Sequence, residues 1–220
     1  RCEKNEFICP KFCGLPEMVM SGIKRYDNVI SYPIKMNRPY DLINHFIKIG
    51  KSLNVKEYKT ISAFQKAVKK HNEKKKGIHD IGYKHNVFLG GHPYNIYDSY
   101  ANMNLIDKLH SYGIGVITEE CVDYKDKEEE TKGFIKKPYW LFFKNNYGAG
   151  KYLADHGQID GIVYISSFSC GIDSISVEIL KNNVDHFPFL VIKVDEHTGE
   201  AGIDTRIEAF ADMLERRRLH

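Results

Sequence analysis

The chain has 220 residues, 42% of them hydrophobic, enough apolar material for one large domain or for one domain and part of another. Its 32 basic and 29 acidic residues leave a formal charge of +3 and are interspersed, so no basic face implies nucleic acid as a partner. No apolar run approaches the roughly 20 residues that cross a bilayer, and the start, Arg1-Cys2-Glu3-Lys4-Asn5-Glu6, has neither signal-peptide nor transit-peptide character; a cytoplasmic protein without membrane contact is expected.

The opening segment carries Cys9-Pro10 and Cys13-Gly14-Leu15-Pro16, two prolines and a glycine in seven residues, which predict a turn. A short helix is expected over 17–23 and a strand over 29–34, ended by Pro33 and the turn Asn37-Arg38-Pro39. Leu42, Ile43, Phe46, Ile47 and Ile49 then form one apolar helical face. A second helix is predicted from Ser62, whose spacing to Gln65 fits a capping box, to about Lys75. Lysines 74–76 before Gly77 read as a solvated helix end.

From Asn86 the pattern alternates: strand 86–90, helix 99–112, strand 114–118, a charged loop 123–133, helix 139–156, strand 160–165, helix 172–182, strand 188–194 and helix 204–217. Such alternation predicts an α/β fold, a Rossmann-like doubly wound parallel sheet in residues 83–220, preceded in residues 1–82 by the remnant of an N-terminal lobe and a helical connector. In the last helix Ile203, Ile207, Phe210 and Leu214 recur at spacings of four, three and four, with Thr205 and Glu208 as the start signal.

Each predicted strand breaks into a turn rich in reactive side chains: Gly90-Gly91-His92, Glu119-Glu120-Cys121, Ser167-Phe168-Ser169-Cys170-Gly171, and Asp195-Glu196-His197-Thr198-Gly199-Glu200. In an open parallel sheet the loops after the strand C-termini share one edge, where ligands bind, so these turns should converge on one pocket. Cys170 is the first candidate. At a helix start its thiolate would meet free N–H groups and the positive dipole end, lowering its pKa and making it a nucleophile or metal ligand; the structural alternative is a small buried hydrophobe.

Five cysteines without secretory features argue against a disulfide framework. The cysteines are then free thiols, metal ligands or buried hydrophobes; Cys9 and Cys13 are spaced C-x-x-x-C with no second pair, which argues against a zinc finger, while iron–sulfur clusters also accept thiolates from distant segments. Cys121 is a ligand or a packing residue, and Cys2 carries no signal. The turn at 195–200 fits a carboxylate and histidine metal site, acid–base work, docking of a basic partner, or capping of the final helix. Neither Ile49-Gly50-Lys51-Ser52 nor Gly148-Ala149-Gly150-Lys151 completes a P-loop, no G-x-G-x-x-G follows the first strand, and no G-x-S-x-G elbow occurs.

Several longer motifs, in order, carry a family resemblance: Glu6-Phe7-Ile8-Cys9-Pro10-Lys11-Phe12, Gly91 through Asp98, Asn102-Met103-Asn104-Leu105-Ile106, Ser167 through Ser174, and Asp195 through Gly202 with Arg206-Ile207-Glu208-Ala209-Phe210. Over nearly its whole length the chain resembles the acyl-CoA dehydratase activase-related proteins, which are similar to the D component of 2-hydroxyglutaryl-CoA dehydratase. The resemblance implies Rossmann-like lobes with an iron–sulfur cluster of the 4Fe–4S class between them, in an anaerobic system where a separate ATPase activase injects electrons. It implies Cys9 and Cys170 as cluster ligands, with a third cysteine in a lobe preceding this sequence. Cys13 and Cys121 match no cysteine of that pattern. The start at Arg1, directly on a motif, agrees with the expectation that the sequence is the C-terminal portion of a longer protein.

The function expected is thus an iron–sulfur component of a 2-hydroxyacyl-CoA dehydratase-like or low-potential electron-transfer system, with an acyl-CoA thioester as the substrate class that the relatives suggest. His92, Glu196, His197 and Glu200 would line the pocket or the partner surface as the catalytic candidates. The rival is a cluster-free regulatory or scaffold protein that binds an activase-like ATPase through the same loop edge.

Overall fold

The structure is a computed structural model that describes residues 6–23, 29–31, 39–74, 76–184 and 187–218. The chain folds as two compact units, residues 1–76 with 139–141, and residues 77–138 with 142–220.

In the first unit the prolines and glycine of the opening motif produce a short helix α1 (Pro10–Cys13) and then α2 (Leu15–Gly22), each with proline in its first turn, where the missing N–H costs no hydrogen bond. Phe7 forms a parallel bridge with Trp140; its N–H donates to Tyr139 O at 2.8 Å and its carbonyl accepts from Leu141 N at 3.0 Å. A pair of longer helices follows, α3 (Pro39–Ser52) and α4 (Glu57–Lys74). They pack through Phe46 and Phe64, ring centroids 5.4 Å apart, and so closely at Gly50 that a Cβ there would lie 2.2 Å from Thr60 Oγ1. The second helix begins five residues before the predicted Ser62. Asn54, in the left-handed region at φ 56°, reverses the chain, so the helix starts as soon as the turn is complete and Ser62 lies inside it. Residues 29–31 of the expected strand have no regular structure, and 32–34 lie outside the described residues, as does Lys75.

The second unit contains the sheet: β1 (His85–Gly91), β2 (Ile114–Ile117), β3 (Gly161–Ser167) and β4 (Phe189–Val194), all parallel in the order β2-β1-β3-β4. Helices α5 (Pro93–Ile96) and α6 (Leu105–Ser111) connect β1 to β2; α7 (Tyr124–Glu130) and α8 (Leu141–Asp155) connect β2 to β3; α9 (Gly171–Asn183) leads to β4 and α10 (Glu200–Arg218) ends the chain. Alternation of side chains across the strands places Val87, Leu89, Val163, Ile165 and Ile192 on one face, where Leu105 and Leu109 of α6 and Ile203, Ile207, Phe210 and Leu214 of α10 cover them. Phe88 occupies the opposite face, under Gly150 of α8 and Leu180 of α9. The doubly wound α/β sheet expected from the alternation is therefore the observed architecture. Among the described residues no helix is long and apolar enough to cross a membrane.

Two helix starts and one loop differ from expectation. The final helix begins at Glu200, so Thr205 sits inside it and donates its hydroxyl to Ala201 O at 3.1 Å. The helix predicted over 99–112 forms only as α6, because Asp98 Oδ1 accepts the N–H groups of Tyr100 and Ala101 and holds the preceding residues in a turn. The charged stretch 123–133 contains α7, whose Lys127 is buried and pairs with Glu119. Charge alone suggested a loop, but that pairing lets this helix pack: Gly148 of α8 lies so close that a Cβ would fall 2.4 Å from Lys127 O.

At the centre of the sheet β1 ends on two glycines paired with Tyr164 and Ile165 of β3. A Cβ on Gly90 would lie 2.7 Å from the Tyr164 ring. Gly91, at φ 147°, would place one 2.4 Å from Ile165 O. Asn146 of α8 locks this close approach, accepting from Gly91 N at 2.8 Å and donating to Gly91 O at 3.1 Å. Gly91→Ala should therefore destabilise the protein by about 2–4 kcal/mol through backbone strain and overpacking. Urea titration should show a lower midpoint at unchanged slope, and an unchanged midpoint would refute the close-approach argument.

Candidate functional site

In the order β2-β1-β3-β4 the chain leaves β1 toward one side and returns to the other, so the carboxyl ends of β1 and β3 flank the topological switch point, where the loops diverge and a crevice opens. His92 follows β1 directly and Cys170 lies three residues after β3. Pro93 at the first position of α5 and the extended backbone of His92 (φ −75°, ψ 144°) turn the imidazole inward. Asn102 holds this turn from beneath: its amide donates to Asn95 O at 3.0 Å and Ile96 O at 2.7 Å, and its carbonyl accepts from Leu105 N at 3.2 Å. On the β3 side Ser169 takes the left-handed conformation at φ 62°, and Cys170 becomes the residue that caps α9. Ser167 Oγ and Asn95 Oδ1, 3.2 Å apart, join the two loops.

The outcome is a compact trio. His92 Nε2 lies 3.8 Å from Cys170 Sγ and 3.2 Å from Asp173 Oδ1, and the ligand-type atoms of all three residues fall within 4.8 Å of one another. His92 is 2% and Asp173 1% exposed, whereas Cys170 is half-buried. Tyr94 stacks on the imidazole at 5.1 Å and Phe142 meets it edge-on at 4.6 Å, which fixes the ring plane. Tyr164 donates its hydroxyl to Asp173 Oδ1 at 3.1 Å; its own ionisation is pushed well above the ordinary tyrosine range, first by burial and then by the Asp173 charge. Three buried polar atoms here have no hydrogen-bond partner among the described residues: His92 Nδ1, Asn95 Nδ2 and Asp173 Oδ2.

The expectation of a lowered thiol pKa at Cys170 is not met. Burial pushes this thiol up and the nearby Asp173 carboxylate adds to the rise, while the N–H groups of Asp173 and Ile172 at the start of α9 oppose it without prevailing. Asp173 and Tyr164 were not identified from sequence. The available signal was the Cys170-x-x-Asp173 spacing, which puts both side chains on one face of a helical turn.

The remaining candidates stand elsewhere. Asp195, Thr198 and His197 form a self-contained turn: Asp195 Oδ1 accepts from the Thr198 hydroxyl and from His197 N, which together hold the Asp195 carboxyl below its usual range. Glu196 and His197 project into solvent, their side chains 83% and 86% exposed, and Glu200 pairs with Lys108 at 2.8 Å. These residues share the sheet's carboxyl edge with the trio but do not assemble a ligand cluster of their own. In the first unit Cys9 is half-buried at the residue preceding α1, and Cys13 is exposed.

Cys121 is a packed thiol. Its Sγ donates to Ile78 O at 3.0 Å, and burial raises its pKa above the usual thiol range. Less thiolate is therefore present near neutral pH than in the unfolded chain. In a time course with iodoacetamide at pH 7.5, exposed Cys13 should be modified well before Cys121, and denaturation should release Cys121. Equal rates in the native protein would show that Cys121 is open to ligands after all.

A family model described as CoA enzyme activase uncharacterised domain matches residues 1–122, which include Cys9, β1, His92 and β2 but not Cys170 or Asp173. No curated protein matches the chain.

Proposed function

The chain belongs to the CoA enzyme activase uncharacterised domain family, and on that premise we propose that it is an iron–sulfur component of a CoA-enzyme system, of the 2-hydroxyacyl-CoA dehydratase or low-potential electron-transfer type. The observation that carries this reading is the position of Cys170: a half-buried sulfur at the switch point of a parallel sheet, at the first turn of a 13-residue helix.

The donor chemistry fits one ligand of such a group. Backbone N–H groups of Ile172 and Asp173 point at the Cys170 sulfur, and donors of this kind stabilise the negative charge of cluster thiolates. Among the described residues, those grouped with Cys170 as possible ligands are an imidazole and a carboxylate, so further thiolates must come from elsewhere. Cys9 is the second ligand of the proposal, supported by its match to the resembling motif. Bound there, an iron–sulfur cluster supplies one-electron transfer. The protein's own residues hold and exclude: Tyr94 and Phe142 pack His92 against water, and Tyr164 with Asp173 fixes its ring edge toward the sulfur. The exposed Glu196 and His197 on the same sheet edge are the surface offered to a partner ATPase activase, with Glu200 at its border, and an acyl-CoA thioester is the substrate class.

The full-length protein, purified without oxygen and reconstituted with ferrous iron and sulfide, should retain both elements. Cys9→Ser and Cys170→Ser should each lose most of the iron and sulfide with the visible absorbance. Wild-type protein that holds neither element would instead favour a cluster-free regulatory or scaffold protein acting on an activase-like ATPase.

A further inference from the structure

The second unit contains a donor set that needs neither Cys9 nor inorganic sulfide. We propose that His92 Nε2, Cys170 Sγ and Asp173 Oδ1 form a binding site for a single divalent transition-metal ion of borderline softness, such as Zn2+, Fe2+ or Co2+. The proposal shares Cys170 with the cluster reading but does not depend on it.

Distances carry the argument. In a tetrahedral site with metal–nitrogen and metal–oxygen bonds of about 2.1 Å and a metal–sulfur bond of about 2.3 Å, the donors stand about 3.4 Å apart for nitrogen and oxygen and about 3.6 Å for sulfur and nitrogen. The observed separations are 3.2 Å from His92 Nε2 to Asp173 Oδ1 and 3.8 Å from His92 Nε2 to Cys170 Sγ. A charge-assisted hydrogen bond between a histidine and a carboxylate closes to about 2.7–2.9 Å, so this pair is spaced more like two ligands of one ion than like a tight ion pair.

Burial supplies an independent observation. Asp173 is 1% exposed, and its Oδ2 has no hydrogen-bond partner among the described residues. A buried carboxylate left partly unsatisfied is costly, and a cation between the three side chains would relieve that cost. Several neighbours are already placed for ligation, although His92 Nδ1 has no hydrogen-bond partner among the described residues. Tyr164 donates to Asp173 Oδ1, the aromatic pair Tyr94 and Phe142 fixes the imidazole plane, and the N–H groups at the start of α9 face the sulfur.

The ligand types choose the metal. One thiolate, one imidazole and one carboxylate suit zinc or ferrous iron, and a set with a single oxygen donor does not suit magnesium or calcium. Three protein donors leave a fourth tetrahedral position open, as in sites that activate water or bind a substrate oxygen. Cys170 is only partly buried, in contrast to His92 and Asp173.

Metal-free full chain, reduced and free of sulfide, should bind Co2+ at one equivalent with the near-ultraviolet thiolate-to-cobalt absorption and the intense visible bands of a four-coordinate ion. Cys170→Ser should abolish the thiolate band, and His92→Gln and Asp173→Asn should each weaken binding at least about tenfold. Cys13→Ser should bind as the wild type does. Because His92 and Asp173 are buried, a measurement on unaltered protein accompanies the variants: Zn2+ should protect Cys170 from alkylation, mapped by mass spectrometry, and leave Cys13 labelling unchanged. Unprotected Cys170 at saturating Zn2+, or wild-type cobalt spectra in folded His92→Gln and Asp173→Asn proteins, would overturn the site. The two readings fail separately. A chain that binds Co2+ in this way but takes up no iron and sulfide refutes the cluster alone, and one that builds a cluster but shows neither cobalt band nor zinc protection refutes the single-ion site alone.

Discussion

The close approach of β1 to β3 at Gly90 and Gly91 is the constraint on which the candidate site rests. Without a side chain at Gly90 the Tyr164 ring can lie across the end of β1, and without one at Gly91 the strand can bend in against Ile165 O. The first absence puts the Tyr164 hydroxyl within reach of Asp173, and the second delivers His92 to the same point from the other strand. Asn146 then fills the hydrogen-bonding capacity of Gly91 from α8, so the bend is held by a buried side chain that does not belong to the sheet. The geometry of the trio is in this sense a consequence of backbone packing.

That arrangement buries a histidine and an aspartate and leaves polar atoms of both without partners. Buried polar groups are normally paired, and exceptions concentrate where a protein binds or reacts. The same burial explains why Cys170 does not behave as a helix-start cysteine is expected to. Desolvation disfavours the thiolate more than two N–H donors favour it, and the neighbouring carboxylate adds repulsion. A bound cation would reverse this balance, since it replaces the thiol proton and offsets the Asp173 charge together.

Much of the second unit was legible in the sequence because hydrophobic periodicity changes visibly from strand to helix there. The four strands, the parallel architecture and the packing face of α10 were all predictable for that reason. Errors fell where local chemistry was ambiguous. Ser62 with Gln65 and Thr205 with Glu208 both imitate capping boxes inside longer helices, and the true starts are set by an Asn54 turn and by the Asp195–Thr198 turn. The acidic and basic stretch at 124–130 reads as solvated until Lys127 is seen to insert beside Glu119.

For the site, sequence identified His92 and Cys170 as chemically suited residues at strand ends, because loops after parallel strands must share an edge. It placed Glu196 and His197 on equal terms with them, since a sequence carries residue type and order but not solvent exposure. Only the tertiary structure separated these residues: strand order brought the ends of β1 and β3 side by side, and the glycine contact drew the imidazole inward while the Asp195 turn closed on itself and left its neighbours in water. Asp173 entered for the same reason. Its spacing from Cys170 fixed its direction on the helix, but its meeting with His92, eighty-one positions earlier, depended on which strands are neighbours, and that is decided by packing across the whole sheet.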